Sequence, residues 1–242
     1  MDKEESLSDT IKTVVYAILI AIVIRSFWFE PFKIPSGSMY PTLYVGDYLF
    51  VSKYTYGYSK HSLPWSLPLF EGRIWKEAPE RGDVVVFKYP RDNKTDFIKR
   101  VIGLPGDKVK LESGLLYING ELVKREQLED FVIRDENGGT ERYRQYIEIL
   151  PNGKKHKILE LSDSEMNDDF DEVEVPQGTF FMMGDNRDRS DDSRVNVGFV
   201  PEENLVGKAR FLFFSHNTDE PWYKPWGWPR KIRWSRLFNS IW

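Results

Sequence analysis

The chain has 242 residues, a formal net charge of −4, no cysteine and a hydrophobic fraction of 40%. This is enough for one sizeable core or two smaller ones, and the lack of cysteine excludes disulfides, thiolate nucleophiles and sulfur-ligated metals. Nucleic acid is not expected as a partner, because Lys and Arg are mixed with Asp and Glu throughout the chain rather than clustered.

An apolar run over residues 11–29 follows a polar tail over residues 1–10. Its central part, residues 13–24, carries no charge, and the run approaches the roughly 20 residues that cross a bilayer. A cleaved signal peptide is the alternative, but four acidic residues outnumber Lys3 and Lys12 where such a peptide is basic, and no small-residue cleavage site follows. We therefore expect one uncleaved transmembrane anchor. The basic residues around it are too evenly divided to predict its orientation.

Beyond the anchor, short apolar or alternating runs bounded by Gly, Pro or Asn predict β-strands. The clearest are residues 48–51, 84–87, 115–118 and 179–183. Asn119-Gly120 and Asn152-Gly153 predict type I′ hairpin turns, since both central residues of such a turn need positive φ.

The pattern as a whole predicts a mainly β fold behind one N-terminal transmembrane helix. We expect an antiparallel β core formed by residues 30–120 and 175–242. A smaller, charge-rich β lobe is expected to be inserted over residues 121–174.

Residues 35–43, PSGSMYPTL, contain a candidate nucleophile, Ser38. Pro35 and Pro41 fix φ and lack an N–H group, so the segment cannot continue as a helix or a central strand. Ser38 is therefore expected on a stiff, exposed turn. Because a serine and a glycine between prolines are also common in loops, this segment alone does not predict a catalytic site.

Two further motifs lie downstream. Residues 81–87, RGDVVVF, lead to residues 97–107, FIKRVIGLPGD, and residues 184–194 read GDNRDRSDDSR. In this order, and behind an N-terminal anchor, the three motifs resemble those of the bacterial type I signal peptidases, a family of serine proteases with a Ser/Lys dyad. The similarity covers both ends of the chain and thins between residues 122 and 175.

A serine hydroxyl needs a neighbouring base before it can attack an amide. The three histidines, His61, His156 and His216, lie outside every motif and are expected in surface or structural roles. No GxSxG, SxxK or HExxH motif is present, which argues against the common serine hydrolases and zinc proteases. A strand lysine usually faces solvent, but the resemblance implies that Ser38 is the nucleophile and Lys99 its general base. Burial would favour the neutral amine that this role requires.

The resemblance also implies roles for the residues around the dyad. Ser36 would join the Ser38 backbone N–H in an oxyanion hole, and Ser190 would hold the Lys99 ammonium group. Asp192 and Arg194 would form a supporting ion pair, contributing about 0 to 1 kcal/mol if it lay at the surface.

The other residues of the 184–194 motif have two possible roles. By the resemblance, Asp185 and Asn186 would serve the supporting turn. A Ca²⁺ loop is the alternative, but the motif lacks the terminal Glu of an EF-hand, so no metal is expected.

Four apolar residues match family positions that line shallow subsites for small side chains: Phe32, Ile34, Val86 and Ile98. A plain core role is the alternative for each. Near the C-terminus, aromatic and basic residues alternate, including Trp222, Trp226 and Trp228. They are expected either at a membrane interface or in the core.

The sequence thus predicts a membrane-anchored serine endopeptidase that removes signal peptides from exported preproteins at small-x-small sites. It would use no cofactor, contact membrane lipid, and hold its catalytic part on the extracytoplasmic side of the bacterial cytoplasmic membrane. A Ser/Lys self-cleaving regulator is one alternative, disfavoured by the anchor and by the lack of a DNA-binding helical module. A non-catalytic, membrane-anchored β-rich interaction protein is the other.

Overall fold

The computed structural model describes residues 7–63, 66, 70–134, 139–162, 165, 167–217 and 231–241. It begins with one long helix, α1, Leu7–Phe27. Over Ser8–Phe27 this helix has a mean hydropathy of 1.9 and is long enough to cross a membrane, and its apolar side chains are exposed along its length. Such a helix suits lipid better than water.

The helix ends two residues before the predicted limit of the anchor at residue 29. Phe29 pairs instead with Ser52 in a β-sheet. Pro31 lies in the same strand and favours extended backbone at Glu30, the residue before it, so the chain is already committed to the sheet at this point.

Seventeen strands follow within the described residues: β1 Phe29–Lys33, β2 Asp47–Ser52, β3 Tyr58–Ser59, β4 Arg73–Ile74, β5 Val84–Lys88, β6 Asp96–Gly103, β7 Lys108–Glu112, β8 Leu115–Ile118, β9 Glu121–Leu122, β10 Lys124–Gln127, β11 Phe131–Arg134, β12 Thr140–Ile149, β13 Lys155–Glu160, β14 Phe170–Glu174, β15 Thr179–Met183, β16 Val200–Pro201 and β17 Leu205–Ser215. Short 3₁₀ turns occur at Gly37–Met39, Tyr54–Tyr56, Lys60–Ser62, Arg187–Arg189, Glu202–Asn204 and Trp234–Arg236.

The main sheet has seven strands in the order β1-β2-β17-β5-β6-β15-β16, and each neighbouring pair is antiparallel. Alternation along β5 supplies both faces of this sheet. Val84 and Val86 join one apolar cluster with Ile34 and Leu49, whereas Val85 and Phe87 join another. The predicted mainly β, antiparallel fold behind one apolar N-terminal helix is confirmed.

The remaining strands form smaller sheets. One has the order β14-β7-β8-β9, a second contains β10-β12-β11 with β13 also paired to β12, and a third pairs β3 with β4. The predicted start of the inserted lobe, residue 121, falls inside the first of these sheets. The chain leaves the main sheet earlier, after β6, because β7 pairs with β14 at the far end of the insertion.

The two predicted hairpin turns differ. Asn119 and Gly120 have φ of 54° and 79° and connect β8 to β9, as a type I′ turn requires. At the second turn only Gly153 has positive φ, and the Leu150 N–H donates to the Lys154 carbonyl oxygen across a three-residue loop. The type I′ prediction was wrong there, since Pro151 has φ fixed near −65° and favours a type I turn followed by a glycine bulge.

Candidate functional site

Ser38 and Lys99 come together from distant parts of the chain. Ser38 lies in the 3₁₀ turn Gly37–Met39, just beyond β1, and Lys99 lies in β6 opposite Val85 of β5. A hydrogen bond of 2.6 Å joins Lys99 Nζ to Ser38 Oγ. Ser38 is 8% exposed and Lys99 is 3% exposed. The prediction that Ser38 would be exposed on its turn was therefore wrong. Ser38 is buried because Lys99 and the turn at residues 184–190 cover it.

Burial changes the acid–base chemistry of Lys99. It lowers the pKa of the Lys99 amine to about 8, while the nearby Asp192 carboxylate opposes this shift. Within the part of the chain that the structure describes, no carboxylate lies at ion-pair distance from Lys99 Nζ. An amine in this setting loses its proton far more readily than an exposed lysine, as a general base must.

The turn at residues 184–190 supports the backbone on both sides of the Ser38 hydroxyl. The Asn186 backbone N–H donates to the Ser38 carbonyl oxygen at 3.1 Å, and Asn186 Nδ2 donates to the Gly37 carbonyl oxygen at 3.2 Å. A Cβ atom at Gly184 would lie 2.2 Å from Ser190 Oγ and 2.6 Å from the Ser38 carbonyl oxygen. Only glycine permits so close an approach at this position.

Asp185, predicted to serve the supporting turn, forms a buried two-point ion pair. Arg100 Nε and Nη2 donate to its two carboxylate oxygens at 2.8 and 2.7 Å, and Thr42 Oγ1 donates to it at 2.5 Å. Although burial opposes the shift, the Arg100 guanidinium holds the pKa of Asp185 below its usual value. Arg100 was not among the predicted site residues. The sequence feature that could have indicated it is a second cation directly after Lys99, with apolar residues on both sides.

Asp192 and Arg194 also form a buried pair. Arg194 Nε and Nη2 donate to the two Asp192 carboxylate oxygens at 3.0 and 2.9 Å, and the Gly184 N–H donates to the same carboxylate at 3.0 Å. The surface value of about 0 to 1 kcal/mol therefore does not apply. Removing one partner of a buried pair costs about 3 to 5 kcal/mol, because the other charge is left uncompensated.

The two supporting serines take different positions. Ser36 is exposed and its Oγ lies 3.5 Å from Ser38 Oγ. Ser190 is buried beside Gly184, but its hydroxyl has no hydrogen-bond partner among the described residues. The bond to Lys99 that the resemblance implies is therefore not formed here, and Lys99 Nζ is directed to Ser38. The oxyanion role of Ser36 and the holding role of Ser190 stay predictions.

The four apolar residues assigned to substrate binding lie in one cluster. Ile34 and Val86 are buried in it, and Phe32 and Ile98 are partly buried against it. Val86 and Ile98 are direct partners across β5 and β6. Ile98 directly precedes Lys99 in β6, and the subsite role of all four residues stays a prediction.

The histidines do not contact the dyad in the described structure. His216 is partly exposed, and His61 is buried, with Nδ1 3.1 Å from Ser66 Oγ. His156 is buried as well, with Nε2 3.3 Å from a Glu148 carboxylate oxygen and 4.0 Å from one of Asp185. Glu148 and Arg187 were not predicted from the sequence, because their contact joins segments that are 39 residues apart.

The C-terminal tryptophans Trp222, Trp226 and Trp228 lie outside the described residues. Their prediction stays open. Trp234 and Phe238, further along, are described and largely exposed.

Sequence comparison places the chain in one family. The sequence profile of the family described as "Signal peptidase, peptidase S26" matches residues 7–214. Signal peptidase I of Rickettsia typhi (strain ATCC VR-144 / Wilmington) is 42% identical over 93% of the chain and 90% of its own length. Signal peptidase I of Rickettsia massiliae (strain Mtu5) is 39% identical over the whole chain and 98% of its own length. The crystal structure of a signal peptidase I from Enterococcus faecalis V583 matches with 27% identity and a TM-score of 0.32, covering 55% of this chain and 97% of that one.

Proposed function

Because the chain belongs to the signal peptidase family, peptidase S26, and is a serine peptidase that removes signal peptides from preproteins, we propose that Ser38 is its nucleophile and Lys99 its general base. The observation that carries the proposal is the 2.6 Å contact between Lys99 Nζ and Ser38 Oγ in a buried setting. Because burial lowers the pKa of this lysine, the amine can exist in its neutral form near physiological pH. No other base has to be invoked, and the mechanism uses no cofactor.

The reaction proceeds in two halves. As Ser38 Oγ bonds to the carbonyl carbon of the scissile peptide, Lys99 Nζ takes the hydroxyl proton. The Ser38 backbone N–H and the Ser36 hydroxyl stabilise the negative charge that develops on the carbonyl oxygen. The C–N bond then breaks and the Lys99 ammonium gives its proton to the leaving amine. In the second half Lys99 takes a proton from water as the water oxygen attacks the acyl carbon. The bond from that carbon to Ser38 Oγ then breaks, and the Lys99 ammonium returns its proton to Ser38 Oγ.

Specificity follows from the apolar cluster next to the dyad. Ile34 and Val86 are buried in this cluster and Phe32 and Ile98 are partly buried against it, so we propose that the four side chains form shallow apolar subsites. Small side chains therefore fit on the acyl side of the cut, which gives the small-x-small pattern of a preprotein cleavage site. Larger side chains would have to displace buried residues of the main sheet, and close-packed interiors resist such displacement.

Membrane attachment is the second part of the proposal. Helix α1 is long and apolar enough to anchor the chain as a single-pass protein, with the β part on the extracytoplasmic side, where exported preproteins emerge. Exposed aromatic side chains surround the end of α1: Phe27, Trp28, Tyr54 and Trp75. Such residues favour the lipid interface, so we place this end of the sheet against membrane lipid.

The test is cleavage by the full-length protein in detergent. An exported preprotein should be cut once, after a small-x-small sequence, and mass spectrometry of the products locates the cut. Ser38→Ala, purified in parallel, is the control for a contaminating protease. Cleavage of the chain's own sequence at a rate independent of concentration would instead support the self-cleaving regulator. No cleavage of any preprotein would favour the non-catalytic interaction protein.

A further inference from the structure

The inserted lobe is bonded directly to the turn that supports the nucleophile. The Leu159 N–H of β13 donates to the Asp185 carbonyl oxygen at 2.8 Å, and Leu159 forms a parallel bridge with Asn186. Two residues on, the Leu161 N–H donates to the Asp188 carboxylate at 2.6 Å. The end of β13 thus runs alongside the turn at residues 184–190, which itself binds the Ser38 carbonyl oxygen.

A buried ion pair strengthens this junction. Arg187 Nη2 donates to Glu148 Oε2 of β12 at 2.6 Å, with the two side chains only 3% and 2% exposed. Arg187 Nε and Nη1 have no partner among the described residues, so Glu148 is the one carboxylate there that binds this guanidinium. Although burial opposes it, Arg187 holds the pKa of Glu148 well below its usual range, and the pair is ionised.

Arg187 connects two groups of contacts that support the site, those of Asn186 and those of Arg194. The preceding residue, Asn186, binds the carbonyl oxygens of Ser38 and Gly37. The Arg187 carbonyl oxygen accepts a 2.5 Å hydrogen bond from Arg194 Nη2, and Arg194 is paired with Asp192. A displacement of Arg187 would therefore move both the contact to the nucleophile and the Asp192 side of the site.

His156 lies between the Glu148–Arg187 ion pair and the Asp185–Arg100 ion pair. Its Nε2 is 3.3 Å from Glu148 Oε2 and 4.0 Å from Asp185 Oδ1, and Asp185 is held by Arg100. Neither ring nitrogen of His156 forms a hydrogen bond with a described residue, so the charged contact between the β12–β13 hairpin and the turn at residues 184–190 is made by Glu148.

From these contacts we propose that the inserted lobe is a positioning element of the protease, and that Glu148 is the positioning residue through which it holds the turn at residues 184–190. This rests on the proposed function of Ser38 and Lys99. A buried ion pair adds little net stability compared with an apolar pair of similar volume. The charged pair instead fixes the position of the Arg187 side chain, and therefore also the position of the adjacent residue Asn186. A misplacement of about 1 Å at a catalytic group can cost about 10²-fold in rate.

The chain offers a matched control on the same strand. Glu141 of β12 pairs with Arg189 of the same turn at 3.4 Å, but the two side chains are 52% and 55% exposed. We expect Glu148→Gln to lower kcat about 10- to 100-fold. Its KM should stay within about twofold, because the substrate subsites are untouched. Glu141→Gln should leave both parameters unchanged. Each variant is assayed well below its own unfolding temperature, and equal kcat for Glu148→Gln and the wild type would overturn the proposal.

A double variant separates positioning from stability. Glu148→Leu/Arg187→Met removes both charges and should regain the thermal stability that Glu148→Gln loses. Its kcat should nevertheless stay at least about tenfold below that of the wild type. A double variant with the wild-type kcat would overturn the positioning role, because it would show that each charge is needed only to compensate the other.

The last readout does not depend on activity. Hydrogen exchange of the backbone amides of residues 184–190, followed by mass spectrometry, should be faster in Glu148→Gln than in the wild type and unchanged in Glu141→Gln. Equal protection in all three proteins would overturn the positioning role even if the wild type cleaved no preprotein. The exchange measurement therefore tests the role of Glu148 separately from the proposed function of Ser38 and Lys99.

Discussion

Arg100, the residue directly after Lys99, forms a buried two-point ion pair with Asp185, and both side chains are 1% exposed. The two adjacent cations therefore have opposite environments. Arg100 is paired with a buried carboxylate, whereas Lys99 has Ser38 as its hydrogen-bond partner and a lowered pKa. One strand thus supplies both a fixed structural charge and a titratable base.

The pH dependence of cleavage follows from Lys99. Its amine must be neutral to accept the Ser38 proton, and burial lowers its pKa to about 8. We expect kcat/KM to rise with pH up to about 8 and to level off above it. An acidic limb centred near 6.5 would point to an unperturbed imidazole instead. The pH profile of peptide cleavage, measured over the range in which the protein stays folded, decides between the two.

The buried pair of Asp192 and Arg194 should matter for stability as well as activity. Arg194→Met leaves Asp192 buried without its cation, at a cost of about 3 to 5 kcal/mol. Arg142→Met removes an exposed partner of Asp130 and should cost less than about 1 kcal/mol. Thermal unfolding of both variants in the same detergent measures the difference. Similar unfolding temperatures for the two would contradict the burial described here.

The sequence predicted the dyad and the strands but not the contacts around them. Short apolar runs bounded by turn residues were enough to predict strands such as residues 84–87, and three motifs carried the resemblance that singled out Ser38 and Lys99. A sequence pattern does not tell how deeply a side chain is buried, so the burial of the Asp192–Arg194 pair could not be predicted. The Glu148–Arg187 pair depends on how the inserted lobe packs on the turn at residues 184–190, and the sequence around either residue gives no sign of this contact.

The two supporting serines should differ in their effects. Ser36→Ala removes an oxyanion donor and should lower kcat about 10²- to 10³-fold. Ser190→Ala should slow the reaction less, since the Ser190 hydroxyl donates to no described group in the resting structure. Steady-state kinetics of the purified variants test this order. Full kcat in both variants would show these two assignments to be wrong while leaving the dyad untouched.

Removal of the anchor should be tolerated only if β1 is kept. A chain beginning at Phe27 retains Glu30, whose carboxylate lies 2.8 Å from the buried Lys53 ammonium. It should cleave soluble peptides at the full-length rate, yet cleave membrane-engaged preproteins more slowly, because enzyme and substrate no longer share one surface. A chain beginning at Phe32 loses Glu30 and should be markedly less stable. Equal unfolding temperatures for the two truncated chains would argue against this role of Glu30.

The most direct test of the account is the rate of preprotein cleavage by Lys99→Arg beside Lys99→Ala and Ser38→Ala. Arginine places another long basic side chain at this position, but its guanidinium stays protonated and cannot take the serine proton. The account predicts that all three folded variants lose activity by at least about 10³-fold, because nucleophile and base act as one unit. Cleavage by Lys99→Arg within about tenfold of the wild-type rate would contradict it, because catalysis would then not require proton transfer to residue 99.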